Sequence, residues 1–371
     1  MQNKKIMKVL ILGDFQSKHT ILWFKSYSKF FETYGFSLQE PIIKDEKIFY
    51  VKPKSHSEKL KYILALNELK KIYEKIKPDI IHAHFIQNYG LMAYLLKKPY
   101  ILSVWGRDLF SIAYKKFRNY ISREILKSAK IIHVDAYSLK WLLVNNFQIN
   151  PFKIINFPFG LESEILNKPL KPLKNDIFRI VEFRKHINEI YNQLKILEAI
   201  KVLKKRGLKN FVLFFLSKGK DSEYYKKICI EFGISDLVEF KPSTHSEIMD
   251  LLSESHIYIS ASFVDSTSVS LLEAMNFGAF PIVSDIWANF EWVIDDFNGY
   301  LFNPLNEYDI AQKIEKAMDF EKIEKARVIN KQIVKEKANW EKNFYSFLNF
   351  ISLNSFQIDK KIKGKFPWSY I

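Results

Sequence analysis

Short apolar, β-branched runs alternate with longer stretches of helical periodicity along almost the whole chain, and few folds accept that pattern. Runs at Lys8–Leu12, Lys47–Val51, Ile80–His84, Tyr100–Val104, Ile131–Asp135 and Lys153–Asn156 are expected strands in the first half. Phe178–Phe183, Phe211–Leu216, Leu237–Phe240, Ile257–Ser260, Phe280–Val283 and Tyr300–Phe302 are expected strands in the second. Strands of this kind, separated by helices, imply parallel sheets covered on both faces. At 371 residues the chain is too long for one ordinary core. Asn167–Asp176, with two prolines and several lysines, is the expected linker. The expected division is a first domain over 1–170, a second over 171–340 and a C-terminal segment over 341–371.

The stretch Ser262–Asp285 (SFVDSTSVSLLEAMNFGAFPIVSD) carries the strongest chemical signal. Ser266, Thr267, Ser268 and Ser270 are good helix-start residues, and the helix they open, with Val269 in its first turn, is expected to stop near Gly278. A helix start points several unpaired N–H groups outward and adds the positive end of its dipole, so it suits an anion. Two carboxylates flank it, Asp265 before the helix and Glu273 one turn inside, with seven residues between them. Ser270 and Glu273 also fit a capping box, in which Glu273 does no more than hold the helix start together.

That stretch resembles the signature of the glycosyltransferase family 4 sugar transferases: two acids separated by seven positions, then text like LLEAMNFGAFPIVSD. The resemblance implies an α/β chain of GT-B fold, two Rossmann-like doubly wound parallel-sheet domains facing a central cleft, and a retaining enzyme that uses a nucleotide sugar. The first half would take the acceptor and the second the donor. Glu273 would receive the ribose hydroxyls and Asp265 the sugar ring. The family's first acid is usually Glu, so Asp265 is one methylene short.

Three further segments sit after expected strands, where ligands of open α/β sheets bind. Gly13–Thr20 (GDFQSKHT) lacks a dinucleotide fingerprint but is similar to the first loop of family members, making Gly13 and His19 candidates beside an acceptor or phosphate. PDIIHAHF (78–85) places His82 and His84 on one face of a strand. Two ligands are too few for a metal, no carboxylate or cysteine cluster accompanies them, and no metal or other cofactor is expected. The family resemblance puts His84 against the transferred sugar; His82 reads as a buried, hydrogen-bonded histidine. Trp105 and Gly106, at the next strand end, resemble the family's cleft turn. In IVEFRK (180–185), Arg184 matches the family's diphosphate-binding Arg, but its Lys five positions on is replaced by Glu189, leaving Lys185 as a stand-in. The catalytic candidates are thus His84, Asp265 and Arg184, and the donor-binding candidates Glu273, Arg184, Lys185, Ser266, Thr267, Ser268 and Val269.

A net charge of +16 implies an anionic partner without naming it. Nucleic acid, an anionic membrane and a nucleotide sugar all fit that charge; no zinc-finger spacing or RNA-binding signature is present, and it is the family resemblance that implies the nucleotide sugar rather than nucleic acid. The single cysteine, Cys229, points to a reducing compartment, and no apolar run reaches membrane-spanning length. A cytoplasmic location is expected. Ser111–Lys127 mixes basic residues with aromatics and isoleucines; it suits either an ordinary surface helix or one lying on an anionic membrane, where lipid-linked acceptors are found. NWEKNFYSFLNFI, from Asn339, resembles the family's closing helix. The expectation is a metal-independent transferase building a cell-surface or lipid-linked glycan. A catalytically silent partner subunit, a same-fold nucleotide-sugar epimerase and, on charge alone, a nucleic-acid binder are the other readings.

Overall fold

The computed structural model describes residues 7–55, 57, 60–110, 116–174 and 176–353. The chain forms two compact units: Met1–Phe159 with Glu341–Ile371, and Gly160–Trp340.

The first unit is built on a seven-stranded parallel sheet. Its strands are β1 (Lys8–Leu12), β2 (Glu32–Ser37), β3 (Ile48–Tyr50), β4 (Ile80–His84), β5 (Ile101–Val104), β6 (Ile131–Val134) and β7 (Ile154–Asn156). They lie in the order β3-β2-β1-β4-β5-β6-β7. The second unit carries a six-stranded parallel sheet of β8 (Phe178–Glu182), β9 (Phe211–Phe215), β10 (Val238–Phe240), β11 (Ile257–Ser260), β12 (Phe280–Ser284) and β13 (Tyr300–Phe302), in the order β10-β9-β8-β11-β12-β13. Both orders are those of doubly wound sheets. The direction of winding reverses between β1 and β4 in the first unit and between β8 and β11 in the second, and such reversals open a crevice at the carboxyl ends of the two strands.

Continuous apolar runs explain why these strands are central. Val9, Leu10, Ile11 and Leu12 of β1, and Ile257, Tyr258 and Ile259 of β11, are fully buried. Helices cover the sheets: α1 (Lys18–Ser28) in the first unit, and α2 (Gln193–Lys205), α3 (Ser222–Glu231), α4 (His245–Glu254), α5 (Val269–Phe277) and α6 (Phe320–Lys337) in the second. The last described helix, α7 (Trp340–Leu353), returns to the first unit, where Phe344 and Phe347 pack on Trp23 and Tyr27 with ring centroids 4.9–6.2 Å apart.

Three readings of the sequence differ from the structure. β2 is absent from the sequence-based list, because ETYGFS shows no apolar run. Gly35 in that strand is needed, since a Cβ there would sit 2.4 Å from the Phe15 ring. The unit boundary falls at Phe159/Gly160, before the expected 170/171. The expected linker is strapped to the second unit at residues 168–173 instead of linking two: Arg327 of α6 donates to the Lys171 carbonyl, Lys331 to that of Lys168 and to that of Leu166 just before the segment, and Leu173 packs on the core. Residues 111–115 of the basic helical segment, and the tail after residue 353, lie outside the described residues; Lys116–Ser128 is helical.

Candidate functional site

In the second unit, Arg184 follows β8 and Asp265 follows β11, so they face each other across the reversal point. One guanidinium nitrogen donates to Asp265 Oδ2 at 2.7 Å; another donates to Ser268 Oγ at 2.8 Å and Ser270 Oγ at 3.3 Å. The guanidinium also lies 4.5 Å from the Tyr191 ring centroid, a cation–π distance. The Arg184 side chain is 13% exposed and that of Asp265 19%. Burial works against the guanidinium's charge, and the Asp265 carboxylate is the largest influence that holds it on.

Helix α5 opens at this point. Ser268 is its N-cap, accepting the Leu271 N–H at 3.4 Å, and Gly278 ends it in the left-handed region at φ 92°. Val269 is its first residue, Thr267 is buried beside it, and the Ser266 N–H donates to Asp265 Oδ1 at 3.0 Å. The Ser270–Glu273 capping box does not form, because Ser268 is the cap. Glu273 is 6% exposed and hydrogen-bonds His245 Nε2 at 2.7 Å. The capping box in this region is Thr244 with Glu247, at the start of α4; it places His245 on the first turn of α4, where it reaches Glu273. Sequence reading missed His245, although T-x-x-E is legible there.

Lys185 and Glu189 are not brought to this cluster. Lys185 is exposed and lines a neighbouring cavity of about 540 Å³ with His186, Lys218 and Ser222. Glu189, in the place of the family's Lys, pairs with Lys220 at 2.6 Å in solvent.

The first unit repeats the plan at its own reversal point. Gly13 and His19 follow β1; His84 closes β4. His84 is fully buried, and its Nδ1 hydrogen-bonds Thr20 Oγ1 at 3.1 Å, while Nε2 has no partner. Gly13 makes room for this contact: a Cβ there would lie 2.8 Å from Thr20 Cγ2 and 3.3 Å from His84 Nδ1. Trp105 meets the His84 ring edge-on at 5.5 Å and stacks on His19 at 5.4 Å; its Nε1 and His19 Nδ1 are buried without partners. Burial, aided by the charges of His133 and His19, lowers His84 to about 3, and burial with the charge of Lys18 lowers His19 to about 4. Both imidazoles are neutral at physiological pH.

The turns around His84 are tightly specified. Phe85 sits at φ 64°, a strained position for a bulky side chain, and opens a single π-helical turn, Phe85–Tyr89. Gly106 takes φ 66°. Asp108 ties the two turns together by accepting the N–H groups of Ile86 at 2.9 Å, Trp105 at 3.1 Å and Leu109 at 3.0 Å. His82 points inward and belongs to a chain of hydrogen bonds: Tyr27 O–H to His82 Nδ1, His82 Nε2–H to Ser103, Ser103 O–H to His133 Nδ1, and His133 Nε2–H to the Phe157 carbonyl. The carbonyl accepts only, so the direction of every donor follows, and both histidines are neutral. Among the described residues there is no group of three or more His, Cys, Asp or Glu side chains placed to hold a metal, and no helix long and apolar enough to cross a membrane.

Two Rossmann-ordered sheets, each with polar side chains gathered at its reversal point, are the architecture of the GT-B fold. Solved structures with this architecture include sucrose-phosphate synthase from Thermosynechococcus elongatus (TM-score 0.78, 14% identity, 94% of this chain and 98% of that one). Another is the Anabaena protein HepE in complex with UDP-glucose (TM-score 0.76, 10% identity, 94% and 100%). An uncharacterized glycosyltransferase of Methanocaldococcus jannaschii is 25% identical over 281 residues, 74% of this chain and 75% of its own. The model for glycosyl transferases group 1 matches residues 167–335, and that for glycosyl transferase 4-like domains matches 8–135. Both models are of glycosyl transferases, the 4-like one in the first half of the chain and the group 1 one in the second.

Proposed function

We propose that the protein is a retaining, metal-independent transferase that moves a sugar from a nucleoside-diphosphate sugar to a glycan or lipid-linked acceptor in cell-surface glycoconjugate synthesis. The observation that carries this reading is the Arg184 guanidinium, held by Asp265 and the Ser268 and Ser270 hydroxyls at the N-terminus of α5. Charge grows on the leaving diphosphate as the glycosidic bond breaks, and fixed cations and N–H donors aimed at it lower the barrier. Arg184 and the Ser266–Val269 start of α5 supply them here. Glu273, oriented by His245, receives the ribose hydroxyls. Asp265 holds sugar hydroxyls, and His84 presents Nε2 to the transferred sugar. The leaving phosphate helps to deprotonate the acceptor, so the new bond keeps the anomeric face of the old one. The first unit takes the acceptor and the second the donor. HepE, solved with UDP-glucose, supports a nucleotide-sugar donor.

A catalytically silent partner subunit is the second reading. It is favoured by Glu189, which stands where the family has Lys and spends its charge on Lys220.

The test is a transfer assay with UDP-, GDP-, ADP- and CMP-linked sugars against lipid-linked and oligosaccharide acceptors, with and without EDTA. The proposed activity gives an EDTA-insensitive product whose anomeric configuration matches the donor. An inverted product overturns retention, loss in EDTA overturns metal independence, and nucleotide binding without turnover supports the silent subunit.

A further inference from the structure

Glu182 is the last residue of β8, two positions before Arg184, and is 1% exposed. Its Oε1 accepts the Arg184 backbone N–H at 2.9 Å and lies 3.5 Å from the Gln193 amide nitrogen, while Oε2 is buried with no hydrogen-bond partner. Gln193 in turn donates to the Lys185 carbonyl at 3.0 Å and accepts from the Tyr225 hydroxyl at 3.0 Å. Glu182 and Gln193 are therefore the inner support of the turn that carries Arg184, whose guanidinium reaches the other way, to α5 and Asp265.

A carboxylate is a costly support in such a place. An ionised oxygen with no partner in a buried site is strongly disfavoured, and the nearby guanidinium is already engaged. Arg184, on its own segment, is the titratable group that acts on Glu182, and Glu182 in turn raises Tyr258 on β11 and Tyr225 on α3. Asp265 reaches it only through Arg184. The neighbours on β9 and α2, Phe215 in register and Gln193, are neutral. Burial pushes the Glu182 carboxyl up to about 8, against the opposing pull of the Arg184 N–H, the guanidinium and Gln193. At neutral pH it is an uncharged acid.

We propose that Glu182 is the positioning residue of Arg184: uncharged, it fixes the Arg184 backbone and leaves the guanidinium to Asp265, the α5 hydroxyls and the donor diphosphate, and once ionised it competes for that guanidinium and weakens donor binding. This rests on the function proposed above.

The experiment measures dissociation constants of UDP, GDP and ADP by calorimetry between pH 6.5 and 9.5, for the wild type, Glu182→Gln and Glu182→Ala. Carboxyl carbon NMR of glutamate-labelled wild type follows the same pH range. Glutamine reproduces the shape and donor of the protonated acid. For the nucleotide that binds, wild-type affinity falls about tenfold from pH 7 to pH 9, while Glu182→Gln stays flat and matches the wild type at pH 7 within about twofold. Glu182→Ala is weaker throughout. An alkaline loss that persists in Glu182→Gln overturns the proposal, as does a Glu182 carboxyl that titrates in the ordinary carboxylate range. If Glu182→Gln fails to fold, the wild-type carboxyl titration still decides. If a nucleotide binds with no pH dependence, only the role of Glu182 fails. If none binds at any pH while the carboxyl titrates near 8, the donor site itself fails and this role with it.

Discussion

Arg184 and Asp265, 81 residues apart in the chain, meet at 2.7 Å across the point where the second sheet reverses its winding. The pair exists because β8 and β11 are adjacent in the sheet though two strands intervene in sequence. A guanidinium here is held by one carboxylate and two hydroxyls, so it is pre-aimed before any ligand arrives, and little side-chain entropy remains to be lost on binding.

Arg184→Ala weakens nucleoside-diphosphate binding by about 2 kcal/mol, roughly thirtyfold, as charge-assisted hydrogen bonds of this kind are lost. Arg184→Lys recovers only part of this, because an ammonium cannot span Asp265, Ser268 and a phosphate in the guanidinium's fork. Calorimetry with the cognate nucleotide reads both.

Thr20→Val removes the hydrogen bond to His84 Nδ1 while keeping the shape that packs under Gly13. With its tautomer no longer set, His84 loses the fixed presentation of Nε2. The expected result is a fall in kcat of about tenfold with donor KM unchanged, for an orphaned buried polar atom. A matching rise in KM would instead place Thr20 in donor binding.

Acid destabilises the fold in a defined window. His84 and His133, both lowered to about 3 chiefly by burial, are neutral in the native state, whereas the unfolded chain protonates near the ordinary 6.5. Between those values the unfolded state binds more protons, so stability is full above about 6.5 and is lost as pH falls toward 3. Each histidine removes about 1.4 kcal/mol per pH unit. Glu182 has the opposite sign: its native carboxyl, raised to about 8 from 4.5, makes a contribution that is full below about 4.5 and is lost as pH rises from there to about 8. Urea midpoints between pH 4 and 9 show both limbs, and Glu182→Gln removes its share of the loss between about 4.5 and 8.

Gly160→Ala destabilises the second unit without touching either site. Gly160 has φ 52°, and a Cβ would lie 2.4 Å from the Ala338 carbonyl oxygen, beside the Leu161 N–H to Ala338 bond at 2.7 Å. Backbone has to shift to relieve the clash, and the left-handed conformation adds about 1 kcal/mol. Thermal unfolding measures the loss; unchanged nucleotide affinity separates it from a binding defect.

Most of the strands were legible because buried parallel strands write themselves as continuous β-branched runs, as KVLIL and IYIS do. β2 was not, because Gly35 and polar residues serve a strand on which the Phe15 ring packs against a bare backbone. The prolines and lysines of Asn167–Asp176 read as a solvated linker, yet carbonyls of that segment and of Leu166 just before it are bound by Arg327 and Lys331 of α6, contacts that no local pattern announces. The site divides in the same way. Asp265, Glu273 and the α5 hydroxyls share one segment and a family signature. Thr20 against His84 and His245 against Glu273 are meetings of separate elements, fixed only by topology. The inward turn of His82 follows from Tyr27 and Ser103, which lie 55 and 21 residues away.

The most direct measurement is a thermal-shift screen of UDP, GDP, ADP, CMP and their common sugars, with and without EDTA, on wild type and Arg184→Ala. A ligand that binds only the folded chain raises Tm. An EDTA-insensitive shift with one nucleoside diphosphate, weakened in Arg184→Ala, is the predicted result. No shift with any nucleotide, or a shift that survives undiminished in Arg184→Ala, would contradict a donor site built on Arg184 and Asp265.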